Sequence, residues 1–185
     1  MPNNKIILGF VGDLAAGKGT TCKYLKEKYQ TTSYRFSTPL RDVLNRLYLE
    51  NSRENLQKIS TVLRQNFQED LLSKIIAGDV NRDSSSLVAV DGIRRPSDIV
   101  YLKEIPGFHL IYITADPKLR WERLVKRNEN PGDTEKTFEQ FSKDEQAEAD
   151  ILIKELGHTA EFKIDNNGNF ENLYEQIENI IKETK

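Results

Sequence analysis

Cysteine is nearly absent from this 185-residue chain: Cys22 stands alone. With no partner it forms no internal disulfide, which excludes the small, stapled, secreted folds. The two histidines, His109 and His158, stand apart from it and from each other. That excludes a Cys/His zinc cluster and leaves no neighbouring acid or nucleophile for an acyl-transfer triad. Cys22 and the lone Trp121 read as packing residues. No stretch approaches the roughly 18 apolar residues of a membrane span. The opening MPNNKIILGFVGD has neither the apolar core nor the small-residue cleavage site of a signal peptide, so a soluble cytoplasmic protein without a membrane partner is expected. Excess charge of one sign is missing as well, with 27 basic residues against 29 acidic and a net charge of −2. Nothing general draws such a chain to a nucleic-acid backbone, and any functional charge must be local.

What the chain does have is alternation. Lys5 to Val11 is a short apolar run that ends in a glycine-rich loop and then a helical pattern from Lys18 to Tyr29 with Cys22 and Leu25 on its inner face. Tyr34 to Phe36 suits a second strand, and Ser37–Thr38–Pro39 a helix start capped by Thr38. Helical spacing continues through Leu40 to Leu47, Leu56 to Phe67 and Leu71 to about Gly78, before a surface loop, NRDSSS. Leu87–Val90 and His109–Thr114 are further buried strands around a helical Pro96–Ile105, and Pro117 opens the next helix. NENPGD at 128–133 is turn-rich, and one helix is expected over about Phe138–Leu156. Phe162–Ile164 is the last strand, and Asn169 caps a closing amphipathic helix over Phe170–Ile181. The pattern predicts one domain, residues 1–185, with a three-layer α/β fold: a parallel five-stranded sheet with helices on both faces.

GDLAAGKGT, Gly12 to Thr20, fits G-x-x-x-x-G-K with a strand before it and a helix after it, the context a P-loop requires. Backbone N–H groups of Gly12, Asp13, Ala15, Ala16, Gly17, Gly19 and Thr20 can turn inward as a nest for phosphate. The helix N-terminus adds partial positive charge, and Lys18 a full one. The direct Mg²⁺ ligand usual after the lysine is replaced by Gly19, and the threonine follows one place later. In VAVDGIRRP, Asp91 leaves an apolar strand and Arg94 and Arg95 follow within a turn, at the sheet edge where ligands gather. A carboxylate for Mg²⁺ waters beside an arginine fork for a second phosphate suits phosphoryl transfer, with Arg94 the better placed of the two arginines.

The GKGT ending resembles adenylate kinase and other nucleoside monophosphate kinases. The DGIR turn, the helix RWERLVKR and the stretch AEFKIDN add a resemblance to archaeal adenylate-kinase-related proteins and phage-type deoxynucleoside monophosphate kinases, running from the P-loop to the last helix. The likeness to dephospho-CoA kinases is more distant. The resemblance implies ATP and Mg²⁺, with the ion held largely through water by Asp91 and touched by Thr20. It implies an acceptor region at about 37–80, where Arg41, Arg64 and Arg94 bind the acceptor phosphate and Phe36 or Tyr34 stacks on the base, although both rings suit a core equally well. It implies a short lid at about 120–140 in which Arg123 and Arg127, with Arg120 behind them, stabilise the migrating phosphoryl group, although Glu122 and Lys126 would also form an ordinary surface pair. DNNGN resembles the loop against the donor adenine, with Asn166 and Gly168 as contacts. The expected catalytic set is Lys18, Arg94, Arg123 and Arg127, acting in a monomer on a nucleoside monophosphate that needs no general base.

Two other functions remain open on the sequence. A kinase acting on another metabolite, such as dephospho-CoA, would need a base for an alcohol acceptor, and Asp13 within the P-loop is the candidate. A regulator that hydrolyses ATP slowly would carry the same P-loop. A signalling GTPase is disfavoured, because no N-K-x-D motif follows a strand.

Overall fold

A computed structural model describes residues 5–128, 132–145 and 148–185. Five strands, β1 (Ile6–Val11), β2 (Thr32–Arg35), β3 (Leu87–Ile93), β4 (Phe108–Thr114) and β5 (Phe162–Asp165), form one sheet in the order β2-β3-β1-β4-β5. All four pairings are parallel. Side chains that alternate along β1 divide the core. Ile7 and Val11 face one layer with Val88, Val90 and Leu110, while Ile6, Leu8 and Phe10 face the other with Ala89, Ile111 and Ile113.

Helices cover both layers. On the second face lie α1 (Lys18–Tyr29), through Cys22 and Leu25, and α8 (Phe170–Glu183), through Leu173, Ile177 and Ile181. The first face is closed by α2 (Ser37–Arg46), α4 (Leu71–Arg82) and α7 (Glu148–His158), which contribute Leu40, Ile76 and Leu156. Of two more helices, α3 (Arg53–Asn66) packs on α2 and lends Leu56, Ile59 and Leu63 to the first core, while α5 (Pro117–Arg127) follows β4 and packs against α6 (Phe138–Asp144). This is the α/β P-loop fold that the alternation predicts.

Several boundaries differ from expectation. Helix α2 starts at Ser37 with no side-chain cap, because Phe36 already has helical angles and Thr38 falls inside the first turn. Helix α4 passes Gly78 and runs to Arg82, since fully buried Val80 extends its inner face. Strand β3 continues through Asp91 to Ile93, which aligns with Val11 of β1. The expected helix over 96–105 is a 3₁₀ segment, Pro96–Ile99, followed by turns. The single helix expected over 138–156 is two, α6 and α7, and residues 146–147 between them lie outside the described residues. Among the described residues no helix is long and apolar enough to cross a membrane.

Candidate active site

The P-loop leaves β1 at its C-terminal end and enters α1. Only glycine fits at Gly12, where a Cβ would collide with the carbonyl oxygen of Ile113 on β4. Gly17 caps α1 at φ 114°, and a Cβ there would collide with the amide of Asn166. Between them Ala15 also takes a left-handed φ of 58°, and the Ala16 N–H donates to the Asp13 carbonyl at 3.2 Å. Successive residues of opposite hand are what turn backbone N–H groups into an anion nest. Gly19 is exposed with open space around its Cα, and Thr20 is half-buried in the first turn of α1.

The Lys18 ammonium donates to the carbonyls of Gly12 at 2.5 Å and Asp13 at 2.9 Å, folding over the loop. Burial pulls it down to about 8; Asp91 and Asp13 oppose that shift, and Arg94 adds to it. These side chains therefore share one electrostatic environment at the sheet edge. Asp91, 7% exposed, accepts from Arg35 Nε at 3.1 Å through Oδ2, while its buried Oδ1 has no partner. An orphaned carboxylate oxygen beside the P-loop lysine fits the water shell of a Mg²⁺ ion. Asp91 and Thr20 are the residues that would hold it.

Arg94 is exposed and carries no side-chain partner among the described residues. Its backbone is held firmly, because Asp98 Oδ2 accepts from the N–H groups of Arg94 and Arg95 at 2.9 and 3.0 Å. The other oxygen of Asp98 accepts from Arg64 Nη2 at 2.6 Å. Here the structure corrects an expectation: Arg64 lies 6% exposed, its Nη1 committed to the Glu69 carbonyl and Ser97, and it acts as a strut under the Arg94 turn instead of meeting the acceptor. Phe36 is corrected in the same way. It is 5% exposed in the core of the first face and is not available for stacking. Tyr34 donates to Asp83 at 3.0 Å, away from the loop. Arg41 is exposed on α2, one turn beyond the end of β2.

The lid arginines separate. Arg120 is 2% exposed beneath the P-loop. Its Nε donates to the Ala115 carbonyl at 2.9 Å, Nη1 pairs with Glu145 and reaches the Leu14 carbonyl at 3.4 Å, and Nη2 lies 4.0 Å from Asp13. Asp13 is 3% exposed; its Oδ2 lies against Arg120 and accepts from the Tyr112 hydroxyl at 3.4 Å, while its buried Oδ1 has no partner among the described residues. Arg123 is half-buried and donates through Nη2 to the Asn166 carbonyl at 2.9 Å, with Nη1 unpartnered. Arg127 ends α5 and is exposed.

Of the expected lid, residues 129–131 lie outside the described residues. The segment beyond them is tied back to α5, where Trp121 donates to the Lys136 carbonyl at 2.7 Å and its ring meets Phe138 edge-on.

Asn166 departs from its expected role at the adenine. It is 6% exposed, and its amide donates to the Ala16 carbonyl at 2.8 Å, so it supports the P-loop from below. Gly168 is exposed in the turn beyond. That turn is fixed to the start of α5 by the Asp116 N–H donating to Asn167 at 2.7 Å. Arg35 and Asp98, both central to the geometry, are missed by sequence reasoning. Arg35 could have been found only by knowing that it lies in register with Asp91.

A P-loop at the edge of a parallel 2-3-1-4-5 sheet, with an acidic β3 residue and an arginine turn at the end of the neighbouring strand, defines an α/β P-loop domain. The chain belongs to the AAA_17 family, described as an AAA domain, whose model matches residues 11–142. Over 178 residues it is 26% identical to a UPF0200 protein of Sulfurisphaera tokodaii, covering 95% of this chain and 96% of that one. Its fold is similar to that of TT1252 from Thermus thermophilus, with TM-score 0.63, 14% identity, and 99% and 100% of the two chains covered. It is also similar to shikimate kinase from Bacteroides thetaiotaomicron, with TM-score 0.62, 11% identity, and 96% and 97% covered.

Proposed function

We propose that this protein is an ATP-dependent phosphotransferase whose acceptor is a nucleoside or deoxynucleoside monophosphate, giving the diphosphate and ADP. The observation that carries this reading is the division of charge around Lys18. The two carboxylates that act on the ammonium, Asp13 and Asp91, are both buried, and each has one oxygen engaged, by Arg120 and Tyr112 in Asp13 and by Arg35 in Asp91. Arg94 stands exposed on a turn braced by Asp98, and Arg41 is exposed on α2, the helix that follows β2. Such an edge suits an anionic acceptor that is already a nucleophile better than an alcohol awaiting a base.

In this reading the P-loop N–H groups and Lys18 hold the donor's β- and γ-phosphates. Asp91 and Thr20 would hold Mg²⁺ through its waters, and the ion when bound would supply neutralisation of the phosphate charge. Arg94 and Arg41 hold the acceptor phosphate in line. Arg123 and Arg127 carry positive charge from α5 toward the transferred group, where positioning and charge neutralisation supply most of the rate. Arg64 acts one layer further out, through Asp98, as a positioning residue.

The test is a coupled ADP-release assay with ATP·Mg²⁺ against a panel of ribo- and deoxyribonucleoside monophosphates, with dephospho-CoA and shikimate as alcohol-bearing controls. Turnover with a monophosphate supports the proposal. Turnover on an alcohol alone, or only slow acceptor-independent hydrolysis, rejects it.

A further inference from the structure

Arg35 is the last residue of β2 and lies in register with Asp91 on the neighbouring strand. Its Nε donates to Asp91 Oδ2 at 3.1 Å. A guanidinium offers five N–H donors in a rigid fork, so this contact uses one edge of the group and leaves both Nη ends. Neither Nη has a partner among the described residues, and the side chain is 52% exposed. Asp91 is the mirror case: Oδ2 is committed, and Oδ1 is buried and orphaned. The pair thus has one satisfied junction at its centre and an unused end on each side.

Fold stability does not account for this arrangement. An ion pair with one half-exposed partner contributes little to folding, and a buried orphan oxygen opposes it. The neighbours point to ligands. Asp91 lies on β3 beside the end of β1 from which the P-loop leaves, Ile93 pairing with Val11, and the Arg94 turn follows β3 directly. Arg35 therefore belongs to the same group as the P-loop lysine and the arginine turn. A planar fork with two open Nη groups at such an edge matches the oxygens of a phosphate monoester.

We propose that Arg35 is an acceptor-binding residue. Its Nη groups grip the acceptor phosphate, while its Nε holds Asp91 with Oδ1 toward the Mg²⁺ water shell. This rests on the phosphate-acceptor reading above. It adds a coupling: acceptor phosphate and metal are held by opposite ends of one ion pair, so each strengthens the binding of the other by the same factor.

The experiment uses the full chain saturated with a non-hydrolysable ATP analogue, which fills the P-loop. Inorganic phosphate is the acceptor-site probe, read by phosphorus NMR titration, and Mn²⁺ the metal probe, read by electron paramagnetic resonance. In the unaltered protein, phosphate should tighten Mn²⁺ and Mn²⁺ should tighten phosphate by one common factor. Arg35→Gln should weaken phosphate by about tenfold or more and Mn²⁺ by several-fold. Arg35→Lys keeps the charge but loses the fork, and should recover only part of either. Thermal unfolding checks that the variants fold; should they fail to, the linkage in the unaltered protein still decides. Phosphate affinity unchanged in both variants, or no linkage between the probes, overturns the proposal. Phosphate bound through Arg35 with no transfer to any monophosphate would instead overturn the kinase reading and leave Arg35 as an anion ligand.

Discussion

The side-chain amide of Asn166 donates to the carbonyl of Ala16 at 2.8 Å, and a residue from the turn after β5 thereby holds the P-loop from beneath. The Asn166 carbonyl in turn accepts from Arg123, so the phosphate loop, the last strand's turn and α5 meet at one buried asparagine.

Replacing that asparagine should loosen all three. Asn166→Ala removes a buried hydrogen bond and leaves the Ala16 carbonyl unsatisfied, a cost of about 1–3 kcal/mol. Denaturant unfolding should show the loss, and KM for ATP should rise more than KM for the acceptor. Equal effects on the two substrates would place Asn166 outside the donor site.

Lys18→Met should abolish phosphotransfer, lowering kcat about 100-fold or more while the fold persists. It should also make the protein more stable at pH 7. The ammonium's folded value of about 8 lies below its ordinary 10.5, so the folded state disfavours the charged form. That penalty is fully present below pH 8 and fades as pH rises to about 10.5. The variant's stability advantage at pH 7, about 1–3 kcal/mol, should therefore shrink over that window in unfolding measurements.

Arg64 and Asp98 are 6% and 3% exposed and bonded at 2.6 Å. Removing one partner strands the other's charge, so Arg64→Met should cost about 3–5 kcal/mol. A double-mutant cycle with Asp98→Asn should recover part of this loss. If Arg64 acts through the Arg94 turn, KM for the acceptor should rise in the single variant while KM for ATP stays put. Direct phosphate contact by Arg64 would instead make the activity loss insensitive to restoring Asp98's partner elsewhere.

On the opposite face Glu178 joins α8 to α1, accepting from Tyr24 at 2.7 Å, Tyr29 at 2.6 Å and Lys28 at 2.9 Å. Partial burial would raise its carboxyl, but donation from Tyr29, Tyr24 and Lys28 outweighs that and holds it at about 2. Because the folded value is depressed, the stabilisation is complete above the ordinary 4.5 and is lost as pH falls toward 2. Glu178→Gln should therefore lower stability at pH 7 by about 1–3 kcal/mol, and its deficit should shrink as pH falls below 4.5 and vanish only near pH 2 in acid-unfolding curves.

The strand, loop and helix from Ile6 to Tyr29 were legible in the sequence because everything that specifies them is local: an apolar run, glycines where the backbone must turn, and helical spacing beyond Lys18. The five strands and the two-faced layering were legible for the same reason, since alternation between periods of 2 and 3.6 needs no knowledge of partners. Residue roles that depend on distant partners were not. Arg41 and Arg64 are both arginines of the predicted acceptor region, yet one is exposed and the other buried against Asp98, 34 residues further on. Phe36 suits a base or a core equally well by type, and its place at the start of α2, packed in the first core, puts it in the core.

The sequence by itself determined the fold class, the P-loop and the cluster of charge after β3, because periodicity, glycine placement and motif spacing act over a few residues. Only the tertiary structure decided which charges are spent on one another and which remain for a ligand. Arg35 meets Asp91, Arg120 meets Asp13 and Glu145, and Asn166 meets Ala16 through strand register and helix docking. Those pairings follow from burial and hydrogen-bond satisfaction across the whole sheet, and one residue's slip of register would redistribute them.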